Sequence, residues 1–123
     1  MTRRSVLSGA QWESLYGYSR AVRVGDTITV AGTTSTGGDA YEQAKGALAI
    51  IDKALRELGG SLRDVVRTRI FVVDMAHSDL VGRAHGEVFG DIKPAATMVE
   101  VRKLIRDDLL VEIEADAIVQ GNM

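Results

Sequence analysis

The chain has 123 residues, with 15 lysines and arginines against 17 aspartates and glutamates, and no cysteine. This length suits one domain with a buried core, and we expect a single domain over residues 1–123. The lack of cysteine excludes disulfides, thiolate catalysis and cysteine-ligated metal, and the balanced charge argues against binding nucleic acid through its phosphates. No run approaches about 18 uncharged apolar residues, and no secretory signal follows the first arginines, so we expect a cytoplasmic protein without a membrane partner.

The first third of the chain predicts a short strand and then a hairpin. A strand is expected near residues 5–7, followed by an irregular segment. Residues 21–24 and 27–31 are rich in β-forming side chains and flank the two-residue turn Gly25-Asp26, which is typical of a β-hairpin. The glycine-rich stretch 32–38 lacks the Gly-Lys-Ser/Thr ending of a phosphate loop, and we interpret it as a connector.

The middle of the chain predicts two helices with a strand between them. Asp39 and Glu42 have capping-box-like spacing, and Gly59-Gly60 is expected to end the first helix. Its apolar residues recur every three or four positions and form a stripe that needs a sheet to cover. They are Tyr41, Ala44, Ala47, Leu48, Ile51, Leu55 and Leu58. Residues 65–73 are expected to form a strand and residues 77–89 a second helix. One strand face is expected to carry Val66, Thr68, Ile70 and Val72.

The last part of the chain predicts two further strands. Residues 96–101, after the single proline Pro94, and residues 111–119 are expected to pair as a hairpin through a polar turn. The second strand alternates strictly, so its apolar residues share one face. The other face carries three carboxylates: Glu112, Glu114 and Asp116. The order of elements predicts an α+β fold with two helices on one face of a four- or five-stranded sheet, whose opposite face leaves room for another subunit.

Three segments, in this order, resemble the RidA (YjgF/YER057c/UK114) family of reactive-imine deaminases. They are residues 18–32 (YSRAVRVGDTITVAG), residues 58–75 (LGGSLRDVVRTRIFVVDM) with the preceding Gln43-Ala44, and residues 94–117 (PAATMVEVRKL…LVEIEADA). The resemblance implies a chorismate-mutase-like fold with a mixed sheet, assembled as a homotrimer. It also implies small-molecule pockets at the subunit interfaces, no cofactor, and hydrolysis of an imine to a 2-oxo acid and ammonia.

The same resemblance assigns roles to individual positions. Glu112 matches the family glutamate that orients the hydrolytic water, which makes it the expected catalytic residue. Tyr18 and the backbone of Gly32 match groups that complete the pocket. Phe89 falls near the pocket wall in the family pattern, whereas from the residues alone it is most simply a core residue. Without the resemblance, Gly32 is simply a residue that turns the chain after a strand.

Ala96 stands where family members carry the arginine that clamps the substrate carboxylate. A guanidinium matches a carboxylate with two charge-assisted hydrogen bonds, whereas alanine offers none. We therefore expect a pocket, which Thr97 also lines, that either takes a substrate without a carboxylate or holds it differently. Arg20 follows Tyr18 by two residues and is expected on the same strand face. It is either a replacement for the missing cation or an ordinary surface arginine.

Several functions stay open from the residues alone. Glu112 fits equally well as one of three carboxylates on a solvated strand face. The chain is therefore an enamine or imine hydrolase, or a non-catalytic ligand-binding or protein-interaction trimer. An endoribonuclease or translation inhibitor is disfavoured by the acidic balance. His77 and His85 lie too far apart on a helix to share a metal, so no metal site is expected, and His85 is interpreted as a packing residue.

Overall fold

The computed structural model describes residues 2–120, which form one mixed sheet with two long helices on one face. The strands are β1 (Arg3–Val6), β2 (Ala21–Val24), β3 (Thr27–Thr33), β4 (Val65–Val72), β5 (Ala95–Glu100) and β6 (Val111–Ile118). The helices are α1 (Gln11–Tyr16), α2 (Ala40–Glu57) and α3 (Ser78–Phe89). Across the sheet the order is β1-β2-β3-β6-β4-β5, and only β4 and β5 run parallel. The predicted α+β architecture is confirmed, with six strands instead of four or five.

Helix α2 begins and ends where the sequence signals predict. The side chain of Asp39 accepts a hydrogen bond of 2.8 Å from the backbone N–H of Glu42, which satisfies one of the free donors of the first turn. At the other end Gly59 adopts φ +81°, a left-handed conformation that glycine tolerates. The guanidinium of Arg23, on β2, donates to the carbonyl of Leu58 at 2.8 Å and so places a cation at the negative end of the helix. No helix among residues 2–120 is long and apolar enough to cross a bilayer.

Strand β6 lies in the centre of the sheet, between β3 and β4. Its alternation is borne out, because one set of side chains is buried under α2 and the other set faces away from the helices. The buried set is Val111, Ile113, Ala115 and Ala117. A central strand is held by neighbours on both sides, so the carboxylates on its other face are carried by the most firmly paired part of the sheet.

The prediction that the last two strands pair with each other as a hairpin is wrong. Strand β5 pairs in parallel with β4 at the edge of the sheet, while β6 pairs with β3 and β4. Parallel strands need a long crossover, and helix α3 with its flanking turns supplies one between β4 and β5. The apolar alternation of β6 suits a central position. Strand β5 is mostly exposed and begins directly after Pro94, which suits an edge.

Two irregularities shift residues away from their predicted places. Between Val65 and Arg67 the pairing of β4 with β6 gains an extra residue, so Val66 is 42% exposed, whereas Thr68, Ile70 and Val72 are buried as predicted. A similar register shift in β3, between Val30 and Thr33, extends this strand through Gly32. Gly32 therefore belongs to a strand rather than to the predicted connector.

The N-terminal segment is more ordered than the sequence predicts. Strand β1 spans Arg3–Val6, and the expected irregular segment contains helix α1. The buried carboxylate of Glu13 accepts hydrogen bonds from the backbone N–H and hydroxyl of Ser8. The chain then turns at Gly17 (φ +77°), and β2 begins only at Ala21. The prediction that Tyr18 and Arg20 share a strand face is therefore wrong, because both precede the strand.

The buried side-chain amide of Gln43 links the connection between β3 and α2 to the connection between β5 and β6. The Nε2 of Gln43 donates to the carbonyls of Asp108 (3.0 Å) and Gly37 (3.3 Å), and its Oε1 accepts from the N–H of Leu110 (2.8 Å). Gln43 is 2% exposed, so the buried polar groups of its side chain are satisfied by these backbone partners.

Replacement of Gln43 by leucine is expected to lower the free energy of unfolding by about 2–3 kcal/mol, because it removes three part-buried hydrogen bonds to the backbone. Urea denaturation measures this change. The matched control is Gln11→Leu at an exposed position, which we expect to shift stability by less than about 0.5 kcal/mol. Equal effects of the two substitutions would contradict the structural role of Gln43.

Candidate functional site

Gly32 and Glu112, two of the predicted site residues, lie against each other. A Cβ atom on Gly32 would stand 2.5 Å from Oε2 of Glu112 and 3.0 Å from its Cδ, closer than non-bonded carbon and oxygen atoms approach. The backbone of Gly32 is not left-handed, so glycine is required here by space and not by φ. The missing side chain leaves room for the carboxylate over the backbone of β3.

The carboxylate of Glu112 lines a cavity of about 430 Å³ on the sheet face away from the helices. The cavity is lined by Gly32, Phe71, Val101, Lys103, Leu104, Glu112 and Glu114. Its volume is in the range of sites for small metabolites, and its apolar walls surround a few charged groups. Phe71 pairs directly with Glu112 across β4 and β6, which places both side chains on the same face.

Glu112 differs electrostatically from the other carboxylates of β6. Arg69 forms ion pairs with Asp116 (2.9 Å) and Glu114 (3.5 Å). Within residues 2–120, Glu112 has neither an ion pair nor a side-chain hydrogen bond. Burial raises the pKa of Glu112 and the charge of Glu114 adds to this, while Arg20 acts in the opposite direction. A partly desolvated carboxylate with free oxygen atoms can orient a water molecule and exchange a proton with it.

Arg20 contacts the same stretch of β3 but does not line the cavity. Its guanidinium NH2 donates to the carbonyl of Gly32 at 2.6 Å, while its buried Nε has no partner within the described residues. Burial lowers the pKa of Arg20, and the nearby charges of Glu13, Tyr18 and Glu112 oppose this shift. The side chain is therefore placed to hold the backbone at Gly32.

Phe89, the last residue of α3, is 2% exposed in the hydrophobic core and lines a different cavity of about 290 Å³. Its ring centroid is 4.7 Å from that of His85, whose Nε2 lies 2.9 Å from Oγ1 of Thr68. Burial lowers the pKa of His85, which keeps the imidazole neutral near pH 7. Within residues 2–120 no group of three or more His, Asp or Glu side chains could hold a metal ion.

The remaining predicted site residues also lie away from the Glu112 cavity in the same protomer. Ala96 and Thr97 are exposed on the edge strand β5, and Oγ1 of Thr97 accepts a hydrogen bond of 2.8 Å from Arg67. Tyr18 is 42% exposed in the segment before β2. The fold therefore brings Glu112 and Gly32 together with Arg20, and leaves Tyr18, Ala96 and Thr97 outside the cavity and Phe89 in the core.

Sequence reasoning missed four residues that line the cavity with Glu112. Phe71 carries a detectable signal, because it is an apolar residue on the otherwise polar face of β4. Val101, Lys103 and Leu104 lie in the connection between β5 and β6, where no periodic pattern indicates the direction of side chains.

Comparison with known proteins agrees with this architecture. The profile of the family described as "Endoribonuclease L-PSP" matches residues 9–119. The crystal structure of a member of the YjgF/YER057c/UK114 family from Mycobacterium tuberculosis superimposes with a TM-score of 0.94 at 52% identity, covering 96% of this chain and 100% of that one. The chain belongs to the RidA (YjgF/YER057c/UK114) family. The resemblance inferred from its three sequence segments is thus confirmed.

Curated relatives of this RidA-family chain include one with a named activity. An uncharacterized protein of Streptomyces coelicolor is 39% identical over 121 residues, which are 93% of this chain and 90% of that protein. The 3-aminoacrylate deaminase RutC of Acinetobacter baylyi is 37% identical over 80 residues, which are 65% of this chain and 63% of that protein.

Replacement of Glu112 by glutamine is expected to stabilise the fold at neutral and alkaline pH. Because the folded pKa of Glu112 lies above its ordinary value of 4.5, ionisation disfavours the folded state. This penalty is absent below the unfolded pKa and develops as the pH rises through the folded pKa. Glutamine carries no charge, so the melting temperature of the variant should exceed that of the wild type at about pH 8 and match it at about pH 4.

Thermal denaturation across this pH range makes the measurement. Asp116→Asn is the matched control on the same face of β6, and it should be no more stable than the wild type at about pH 8, because it loses the ion pair with Arg69. A Glu112→Gln variant less stable than the wild type under alkaline conditions would show that the ionised carboxylate is not strained by its surroundings.

Proposed function

We propose that this chain hydrolyses an enamine or imine and releases ammonia, with Glu112 as the catalytic residue. The observation that carries the proposal is the half-buried carboxylate, free of ion pairs among the described residues, held over Gly32 in a cavity of metabolite size. The relative named 3-aminoacrylate deaminase supports the reaction class, because 3-aminoacrylate is an enamine.

The reaction moves both protons of a water molecule to the nitrogen, with Glu112 as the carrier. Ionised Glu112 accepts a proton from water as the water oxygen bonds to the imine carbon, and it returns this proton to the nitrogen, so the C=N bond becomes the C–N bond of a carbinolamine. Glu112 then accepts the hydroxyl proton of the carbinolamine and passes it to the nitrogen, the C–N bond breaks, ammonia leaves, and the oxygen becomes a carbonyl. An enamine reaches the imine first by protonation at carbon. A carboxylate whose pKa is raised towards neutrality serves better in both directions than an ordinary surface glutamate.

We also propose that the working pocket is completed in a homotrimer. Tyr18 and Ala96 are exposed outside the Glu112 cavity of their own protomer, so a neighbouring copy is needed to bring such groups to it. The sheet face away from the helices also exposes apolar side chains that a neighbour would cover. They are Val24, Val66, Val99 and Ile118, each between 37% and 44% exposed.

Light scattering of the purified protein tests the assembly. The expected mass is about three times the 13.2 kDa of one protomer, since association buries this apolar face. A monomer at micromolar concentration would contradict the intersubunit pocket, and the Glu112 cavity alone would then be the site.

The activity is tested with an imine generated in situ, for example 2-iminobutyrate released from threonine by a dehydratase. Semicarbazide traps the imine, so an active protein lowers the rate of semicarbazone formation. Glu112→Gln should lose about 100-fold or more of this activity while staying folded. Gly32→Ala should also lose it without a large change in melting temperature, because the added methyl group displaces only the flexible carboxylate.

Asp116→Asn, on the same strand face but outside the cavity, is the matched control and should keep wild-type activity. Light scattering on each variant separates lost chemistry from lost assembly. Equal activity of the wild type and Glu112→Gln would contradict the catalytic role.

A second candidate is a trimer that binds a small metabolite without reaction. Ala96 favours it, because the clamp that family deaminases use for a carboxylate is absent from this position. The same assay distinguishes the two functions, since a binding module leaves semicarbazone formation unchanged at any protein concentration.

A further inference from the structure

Three charged residues line the Glu112 cavity: Glu114, which pairs with Arg69, and Lys103 and Glu112, which do not pair with each other. Lys103, in the connection between β5 and β6, lines the cavity together with Glu112. Neither side chain forms an ion pair within residues 2–120. A cavity that holds a free ammonium and a free carboxylate is complementary to a ligand with a negative group and a separate polar group.

The other cations near the cavity are already engaged. Arg69 pairs with the two other carboxylates of β6 and is not among the lining residues. Arg20 donates to the carbonyl of Gly32 and also lies outside the lining. Among the described residues that line the cavity, Lys103 is therefore the one cationic side chain.

We propose that Lys103 binds the carboxylate of the substrate and so replaces, from a different element, the cation that Ala96 lacks. The assignment rests on the proposed function for the identity of the substrate. Phe71, Val101 and Leu104 form apolar walls of the same cavity, which suits a short hydrocarbon body. The ligand is thus a small carboxylate whose C=N group lies at Glu112.

Lysine in place of arginine also affects the affinity for the carboxylate and the range of substrates that bind. Its ammonium is a point charge on a flexible stem, whereas arginine presents a planar fork that matches a carboxylate with two parallel hydrogen bonds. Lys103 is exposed and lies on a connection, so its charge can follow carboxylates at different positions. We expect weaker binding than an arginine clamp gives, with greater tolerance for the length of the substrate.

The test measures binding of pyruvate, a small 2-oxo carboxylate, against its uncharged analogue methyl pyruvate, by titration of backbone amide chemical shifts. Shifts at Gly32, Val101 and Leu104 identify this cavity as the binding place. Lys103→Gln should weaken pyruvate binding about tenfold or more and leave methyl pyruvate unchanged, and Lys103→Arg should restore pyruvate binding. Arg102→Gln removes the same charge from the adjacent exposed residue outside the cavity and should have no effect.

Three results would overturn the assignment. They are the absence of pyruvate-induced shifts in this cavity, equal binding of pyruvate and methyl pyruvate by the wild type, and equal losses in Lys103→Gln and Arg102→Gln. Binding is measured without turnover, so it tests Lys103 separately from the reaction. Lys103-dependent binding in a protein that leaves semicarbazone formation unchanged supports the binding role of Lys103 and contradicts the proposed hydrolase activity. Glu112-dependent turnover with an unchanged KM in Lys103→Gln supports the hydrolase and rejects Lys103.

Discussion

The site depends on the close approach of two neighbouring strands at one point. The register shift in β3 carries Gly32 into the sheet, and pairing with β6 brings the carboxylate of Glu112 over it. A carboxylate held over the backbone loses part of its water shell, which raises its pKa. The carboxylate is thus partly buried within residues 2–120, its pKa is raised, and it adjoins the cavity.

The scaffold firmly holds the strand that carries the acid, whereas the proposed cation is an exposed side chain on a connection. Strand β6 is central, its inner face is buried under α2, and the amide of Gln43 fixes the chain directly before it. Lys103 lies on the connection that precedes this fixed point, and its side chain is exposed. This division suits the proposed chemistry, since proton transfer demands accurate placement and the attraction of an ammonium for a carboxylate does not.

The local pattern of the sequence predicted much of the fold. The cap at Asp39, the left-handed end at Gly59 and the alternation of β6 are short-range effects, and each lies where predicted. The pairing of β5 was not predictable in this way, because its side-chain pattern is compatible with a hairpin to β6 or a crossover from β4. The extra residue at Val66 was not predictable either, because an inserted residue changes which side chains share a strand face without changing the composition of the strand.

The site was predictable in part for the same reason. Glu112 and Gly32 were found through the family resemblance, and the structure brings them into contact. Phe71 and Lys103 line the same cavity but lie outside the matched functional positions, and their direction depends on tertiary structure. The contact of Arg20 with the Gly32 carbonyl depends on the turn after α1, which no periodic signal marked.

The contact between positions 32 and 112 also constrains how such chains diverge. Every substitution at position 32 adds at least one carbon atom in the volume that the acid occupies, so only glycine leaves the carboxylate in this position. A chain without the carboxylate at position 112 has space for alanine or serine at position 32. The two positions are therefore sterically coupled, and the residue at one of them limits which side chains fit at the other.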